Sequence, residues 1–124
     1  GFDLEYMRRE SPENQAAELA KVSGATIVLK GRNTIIASPD GRLAINSSGS
    51  PALSGAGSGD CLAGLIGAFI ASPQGRKDVF KAVCAAVFIH GLAGELNPNG
   101  ERGAIADDLP LLIPKAMRQV AALA

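Results

Sequence analysis

The chain has 124 residues, and its twelve basic and twelve acidic side chains give a formal net charge of zero. Apolar residues make up 47% and charged ones 19%, an ordinary globular composition that excludes disordered and collagen-like chains. Neutral balance without a basic cluster gives no electrostatic footprint for nucleic acid or an anionic membrane. The longest apolar runs, Cys61–Ala71 and Ala82–Ile89, fall short of the ~18 residues of a membrane span.

Along the chain, Ser11–Ser23 reads as a helix. Ser11 caps it, Pro12 takes its first position and Glu13 follows. Ala16, Leu19 and Ala20 share one face, and Gly24 ends it. Ala25–Leu29 is a short β-branched apolar run, the pattern of a buried parallel strand. Thr34–Ala37 and Leu43–Asn46 flank Ser38-Pro39-Asp40-Gly41 and predict a hairpin. Ser47–Gly59 is a Gly/Ser-rich loop without an element of its own.

Two apolar helices follow: Ser58–Ala71, stopped by Pro73 and Gly75, and Lys77–Leu96, stopped by Pro98. Both are apolar nearly all round, which predicts burial. The last helix spans Leu109–Leu123, with Asp107 or Asp108 as cap and Pro110 near its start. Pro114 suits it only within the first turn. Strand, hairpin and three helices make an α/β chain with too few strands for a complete sheet. The expectation is part of a larger domain, its faces driving self-association into a homo-oligomer or pairing with a missing N-terminal half.

Cys61 and Cys84 lie in apolar helical stretches, and with the single histidine, His90, they form neither a disulfide framework nor a zinc set. Without a charged-then-apolar leader, a cytoplasmic location is the expectation.

Chemistry concentrates in Gly55-Ala56-Gly57-Ser58-Gly59-Asp60. Closely spaced glycines let backbone N–H groups converge on one concavity, and the helix that starts there adds the positive end of its dipole. This suits a phosphate-like anion. The spacing fits neither a Walker loop nor the dinucleotide fingerprint. Asp60 reads in two ways: as a general base beside the anion, or as a complement to the helix start with Ser58 as cap. From the residues alone Lys30 reads as a solvated strand end, Thr34 as a plain strand residue and His90 as a buried, hydrogen-bonded core histidine.

Gly57-Ser58-Gly59-Asp60-Cys61-Leu62-Ala63-Gly64 resembles the Gly-Thr/Ser-Gly-Asp-Val-Leu-x-Gly signature of the ADP/ATP-dependent NAD(P)H-hydrate dehydratases, of the ribokinase-like superfamily. Val28-Leu29-Lys30-Gly31-Arg32-Asn33-Thr34, Pro39-Asp40-Gly41, Asn46-x-x-Gly49-x-Pro51 and Ile89-His90-Gly91-Leu92-Ala93-Gly94 resemble further segments of that family. The resemblance implies the C-terminal portion of a ribokinase-like three-layer sandwich. It implies phosphorylation of the hydroxyl of hydrated NADH or NADPH by ADP or ATP, followed by loss of phosphate. In that scheme Asp60 contacts the hydrated nicotinamide and acts as base. Lys30, Gly31, Arg32, Asn33, Thr34 and Gly59 bind the adenine nucleotide, and the Gly57, Ser58 and Gly59 amides form the anion hole. Magnesium rides on the nucleotide phosphates, with no protein ligands of its own.

The resemblance also implies that a Thr-Pro-His turn lies just before Gly1, with Phe2-Asp3 following it. Two other readings compete: a ribokinase-like kinase of a vitamin precursor or sugar, and a non-catalytic adenine-nucleotide-binding fragment. The Lys30–Thr34 turn followed by the Pro39–Gly41 hairpin argues against the kinase.

Overall fold

The computed structural model describes residues 3–54, 56–103 and 105–123. Gly1, Phe2 and Gly55, named above, lie outside them. The chain forms two compact units, residues 1–46 and 47–124.

The first unit opens on α1 (Leu4–Arg9), which the sequence reading had not anticipated. Asp3 caps it by accepting the N–H groups of Glu5 and Tyr6 at 3.0 and 3.1 Å. Helix α2 (Pro12–Ser23) forms as expected. The Ser11 hydroxyl accepts the Asn14 N–H, and Gly24 closes the helix at φ +69°. Ala16 and Ala20 are fully buried against Ile35 and Ala37, with Ile27 and Leu29 beside them.

Strands β1 (Ile27–Leu29), β2 (Ile35–Ala37) and β3 (Leu43–Ile45) form one sheet in that order. Val28 faces Ile36, and Ile36 faces Ala44. Both pairings are antiparallel, which corrects the expected parallel strand. The connection 30–34 is too short for the crossover that parallel pairing needs, so β1 must run back against β2. Strand β1 is also only half-buried, whereas all of β2 is buried. The hairpin turn lies where Pro39 and Gly41 predicted it: the Gly41 N–H reaches the Ser38 carbonyl at 3.0 Å, and Gly41 has φ +95°.

The second unit begins with the Ser47–Gly59 stretch, which holds a 3₁₀ turn at Pro51–Ser54 instead of lacking structure. Helix α3 (Ser58–Ala71) has the expected bounds. The helix stops before Pro73 as expected, and Pro73 then opens a new one. It takes the first position of α4 (Pro73–Lys77), capped by Ser72, whose hydroxyl accepts the Gly75 N–H at 3.0 Å. Proline lacks only a hydrogen that the first turn never uses. Helix α5 (Val79–Glu95) is capped by Asp78 through the Lys81 N–H. A short α6 (Gly100–Gly103) and a 3₁₀ turn (Ala106–Asp108) lead into α7 (Leu109–Ala122).

Helix α5 packs against both α3 and α7. Its Ile89 and Ala93 join Leu109 and Ala116 of α7 in a buried cluster, bordered by Cys61, Leu65 and Phe69 of α3. The predicted burial therefore holds for most of α5, apart from the exposed Val79, Ala85 and Phe88, and fails for half of α3. Ala63, Gly64, Gly67, Ala68 and Ala71 of α3 are exposed. Pro114 lies inside α7, past the first turn. Its missing N–H leaves the Pro110 carbonyl without its helical donor, a fault that costs about 3 kcal/mol in a helix interior. Burial of Leu112, Ile113, Ala116 and Val120 on the same helix offsets it. Among the described residues, no helix is long and apolar enough to cross a membrane.

Candidate functional site

The glycine run ends on a helix start. Gly57 holds φ +88°, a left-handed backbone that glycine adopts without penalty, and it is the N-cap of α3. The Asp60 and Cys61 N–H groups turn back onto the Gly57 carbonyl at 3.1 and 3.2 Å. Ser58 and Gly59 are the first two helical residues, so their N–H groups have no acceptor within the helix. A glycine cap brings no side-chain oxygen to cover them. Asp60 stands exposed in the same turn. The chemistry available is therefore an amide-lined, electropositive helix end with one carboxylate beside it.

Ser58 is not the cap of this helix. It is 3% exposed, and its hydroxyl donates to the Leu53 carbonyl at 2.5 Å. His90, 4% exposed, brings Nε2 to 3.0 Å from the Ser58 carbonyl, in keeping with a hydrogen-bonded core histidine. A carbonyl only accepts, so this nitrogen carries a proton.

The far end of the loop is also fastened to α5. The Ser48 hydroxyl donates to the Phe88 carbonyl at 2.8 Å, and the Gly49 N–H donates to Glu95 Oε1 at 2.7 Å. Two glycines of α5 make room for this approach. A Cβ on Gly91 would strike the Ser48 hydroxyl and lie 2.8 Å from its carbonyl carbon and oxygen. A Cβ on Gly94 would lie 2.7 Å from the Leu53 side chain. The sequence reading took His90 as a core histidine and Gly91–Gly94 only as a resemblance, and it missed Ser48, Leu53 and Glu95. The legible signal was the spacing: His90, Gly91 and Gly94 fall at i, i+1 and i+4, close together on one side of a helix.

A Cβ on Gly57 would lie 3.1 Å from the Ala106 methyl. Asp108 holds the turn that carries Ala106. Its Oδ2 accepts from the Ile105 N–H at 3.0 Å and from Asn97 Nδ2 at 3.1 Å. These donors keep its carboxyl below the usual carboxylate range. Asp108 is positioned as the N-cap of α7, but its side chain serves this turn and makes no capping bond to α7.

Cys61 is half-buried, and burial pushes its thiol up, away from an activated thiolate. Lys30, Gly31, Arg32, Asn33 and Thr34 form the β1–β2 connection of the first unit. The first four are exposed, and the Thr34 carbonyl accepts the Asn46 N–H at 2.8 Å. The structure thus gathers Lys30–Thr34 into one turn of the first unit and Gly57–Asp60 into one helix start of the second. A cleft of about 440 Å³ in the first unit is lined by Tyr6, Glu10, Lys21 and Arg42 among others, and includes none of these residues. Among the described residues, no group of three or more His, Cys, Asp or Glu side chains could hold a metal ion.

A family profile described as NAD(P)H-hydrate dehydratase matches residues 4–116. The bifunctional NAD(P)H-hydrate repair enzyme Nnr of Thermofilum pendens is 44% identical over 112 residues, 89% of this chain and 21% of that protein. The crystal structure of ADP/ATP-dependent NAD(P)H-hydrate dehydratase from Bacillus subtilis, co-crystallised with ATP/Mg2+ and soaked with CoA, superimposes with a TM-score of 0.75 at 32% identity. It covers 86% of this chain and 39% of that one. A ribokinase-like superfamily protein of Enterococcus faecalis gives a TM-score of 0.71 at 29% identity, covering 90% and 38%. The chain therefore spans between 21% and 39% of the length of these relatives. The profile runs through both compact units, the structural likeness brings the ribokinase-like fold, and the chain belongs to the NAD(P)H-hydrate dehydratase family.

Proposed function

We propose that the protein carrying this chain repairs hydrated NADH and NADPH. A nucleotide, ADP or ATP, phosphorylates the hydrate hydroxyl, and elimination of phosphate restores the nicotinamide. With ADP as donor the other product is AMP. The observation that carries this reading is the glycine-capped start of α3, with uncapped amides and the exposed Asp60 in one turn.

Asp60 takes the hydroxyl proton as the oxygen attacks the transferring phosphoryl group. The Gly57–Gly59 amides stabilise the charge that spreads over the phosphoryl oxygens. Gly59 and the Lys30–Thr34 turn bind the adenine nucleotide. That assignment rests on the family resemblance, with the exposure of the turn in its favour. Magnesium would be carried by the nucleotide phosphates, a placement that suits a site with one carboxylate in its first turn. A cytoplasmic location and a homo-oligomeric assembly belong to the same proposal.

The test is Asp60→Asn in the full-length protein, assayed on hydrated NADH with ADP and with ATP. Turnover should fall by about 10²–10⁴-fold, the usual cost of losing a general base, while the fold and nucleotide binding persist. Near-normal turnover would remove Asp60 from the chemistry. Phosphorylation of a vitamin precursor or sugar, with hydrated NADH untouched, would favour a kinase instead.

A further inference from the structure

We infer that His90 is a positioning residue that aims the Gly59 amide through the peptide unit it shares with the Ser58 carbonyl. The inference deepens the reading of the glycine run given above and rests on it. The Ser58 carbonyl and the Gly59 N–H belong to one planar, trans peptide group, so they point in opposite directions. A donor that holds the carbonyl on one side therefore turns the N–H to the other. Besides the helix's own bond, His90 Nε2 of α5 is such a donor, at 3.0 Å.

Glycine flanks Ser58 on both sides, and glycine leaves the backbone the most freedom. The first turn of α3 holds the 58–59 peptide by helical bonds, but helix ends fray, so a bond from outside the helix holds its orientation more firmly. Ser58 has two such restraints: its hydroxyl is bound to the Leu53 carbonyl, and its own carbonyl to His90. The anchor is stiff, because His90 is 4% exposed on the most buried helix of the unit. Neither bond spends an outward-facing amide. Through this bond the imidazole acts on the site by way of the backbone.

The test uses the full-length protein with His90→Leu, His90→Gln and His90→Asn. Glutamine places an amide N–H near the position of Nε2, and asparagine is one methylene too short. Each variant is first checked for folding by its melting curve. His90→Leu should lower kcat with ADP by roughly 10- to 100-fold, the scale of a reacting group misplaced by about 1 Å. His90→Gln should recover most of that loss and His90→Asn should not. AMP affinity, which needs no turnover, should follow the same order.

Variants that lose thermal stability but keep the wild-type kcat and AMP affinity would overturn the inference. So would equal activity and affinity in the Gln and Asn proteins, and this pair decides if the Leu protein does not fold. Wild-type protein inactive on hydrated NADH would sink the dehydratase reading alone. The order of AMP affinities would then settle the role of His90 by itself.

Discussion

Gly57 and Gly59 do different work although they stand two residues apart. Gly57 supplies the left-handed cap at φ +88° and a surface close enough for the Ala106 methyl. Gly59 supplies an amide at the open end of the helix. Gly59→Val should therefore harm nucleotide use more than Asp40→Ala at the hairpin tip, because a β-branched side chain crowds the phosphate and stiffens the run. Steady-state kinetics with ADP and ATP measure this, and unchanged kinetics in the valine variant would show that the loop does not hold phosphate. Gly91 is a spacer of another kind. Gly91→Ala must push Ser48 away, an overpacking of about 1–3 kcal/mol, visible as a lower melting temperature. At this scale the sequence was legible at His90, read as a hydrogen-bonded core histidine and found buried beside the Ser58 carbonyl. It was less so at Ser58, where the pattern before a helix cannot show whether Gly57 or Ser58 takes the cap, or that a buried hydroxyl would reach back to Leu53.

The hairpin was legible because its turn chemistry is local. Pro39 and Gly41 act within four residues, and no distant contact overrides them. Asp40 adds a pH dependence. Bonds from Arg42 and Ser38 lower its carboxyl from 3.8 to about 2. A folded-state pKa below the unfolded one stabilises above the unfolded value and fades as pH falls through the folded one. The stabilising contribution of the turn should thus be intact at neutral pH and disappear between about pH 4 and pH 2. Melting curves across that range should show a shallower acid loss in Asp40→Asn than in the parent, and parallel curves would contradict the assignment. The effect is small, because the pair lies in solvent. The remaining elements were legible only in part. Apolar periodicity found α3 and α5, yet only packing decides that α5 is central while α3 is covered on one side. The six residues of α1 carry too short a pattern to announce themselves, although the Asp3 cap was there to be read.

The whole molecule raises the question of what covers α3. Its exposed face is made of small residues, and nothing lies within 4 Å of a Cβ built on Gly64 or Gly67. Among the described residues, nothing packs against these glycines. The chain spans between 21% and 39% of the relatives compared, so most of a relative's length is available to lie against such a face. A substitution separates the two situations by its sign. In the 124-residue chain alone, Gly64→Ala meets open space in a helix interior. It should stabilise by about 0.5–1 kcal/mol, the difference between glycine and alanine there. In the full-length protein the added methyl would meet the packed remainder of the domain and should destabilise by about 1–3 kcal/mol. Denaturant melts of the parent and the variant, in both lengths, measure the two signs. The short chain must be melted at several concentrations, because an uncovered apolar face drives association and raises apparent stability by mass action. Stabilisation in both lengths would mean that the α3 face stays open in the full-length protein, and that the small residues on it serve no packing role.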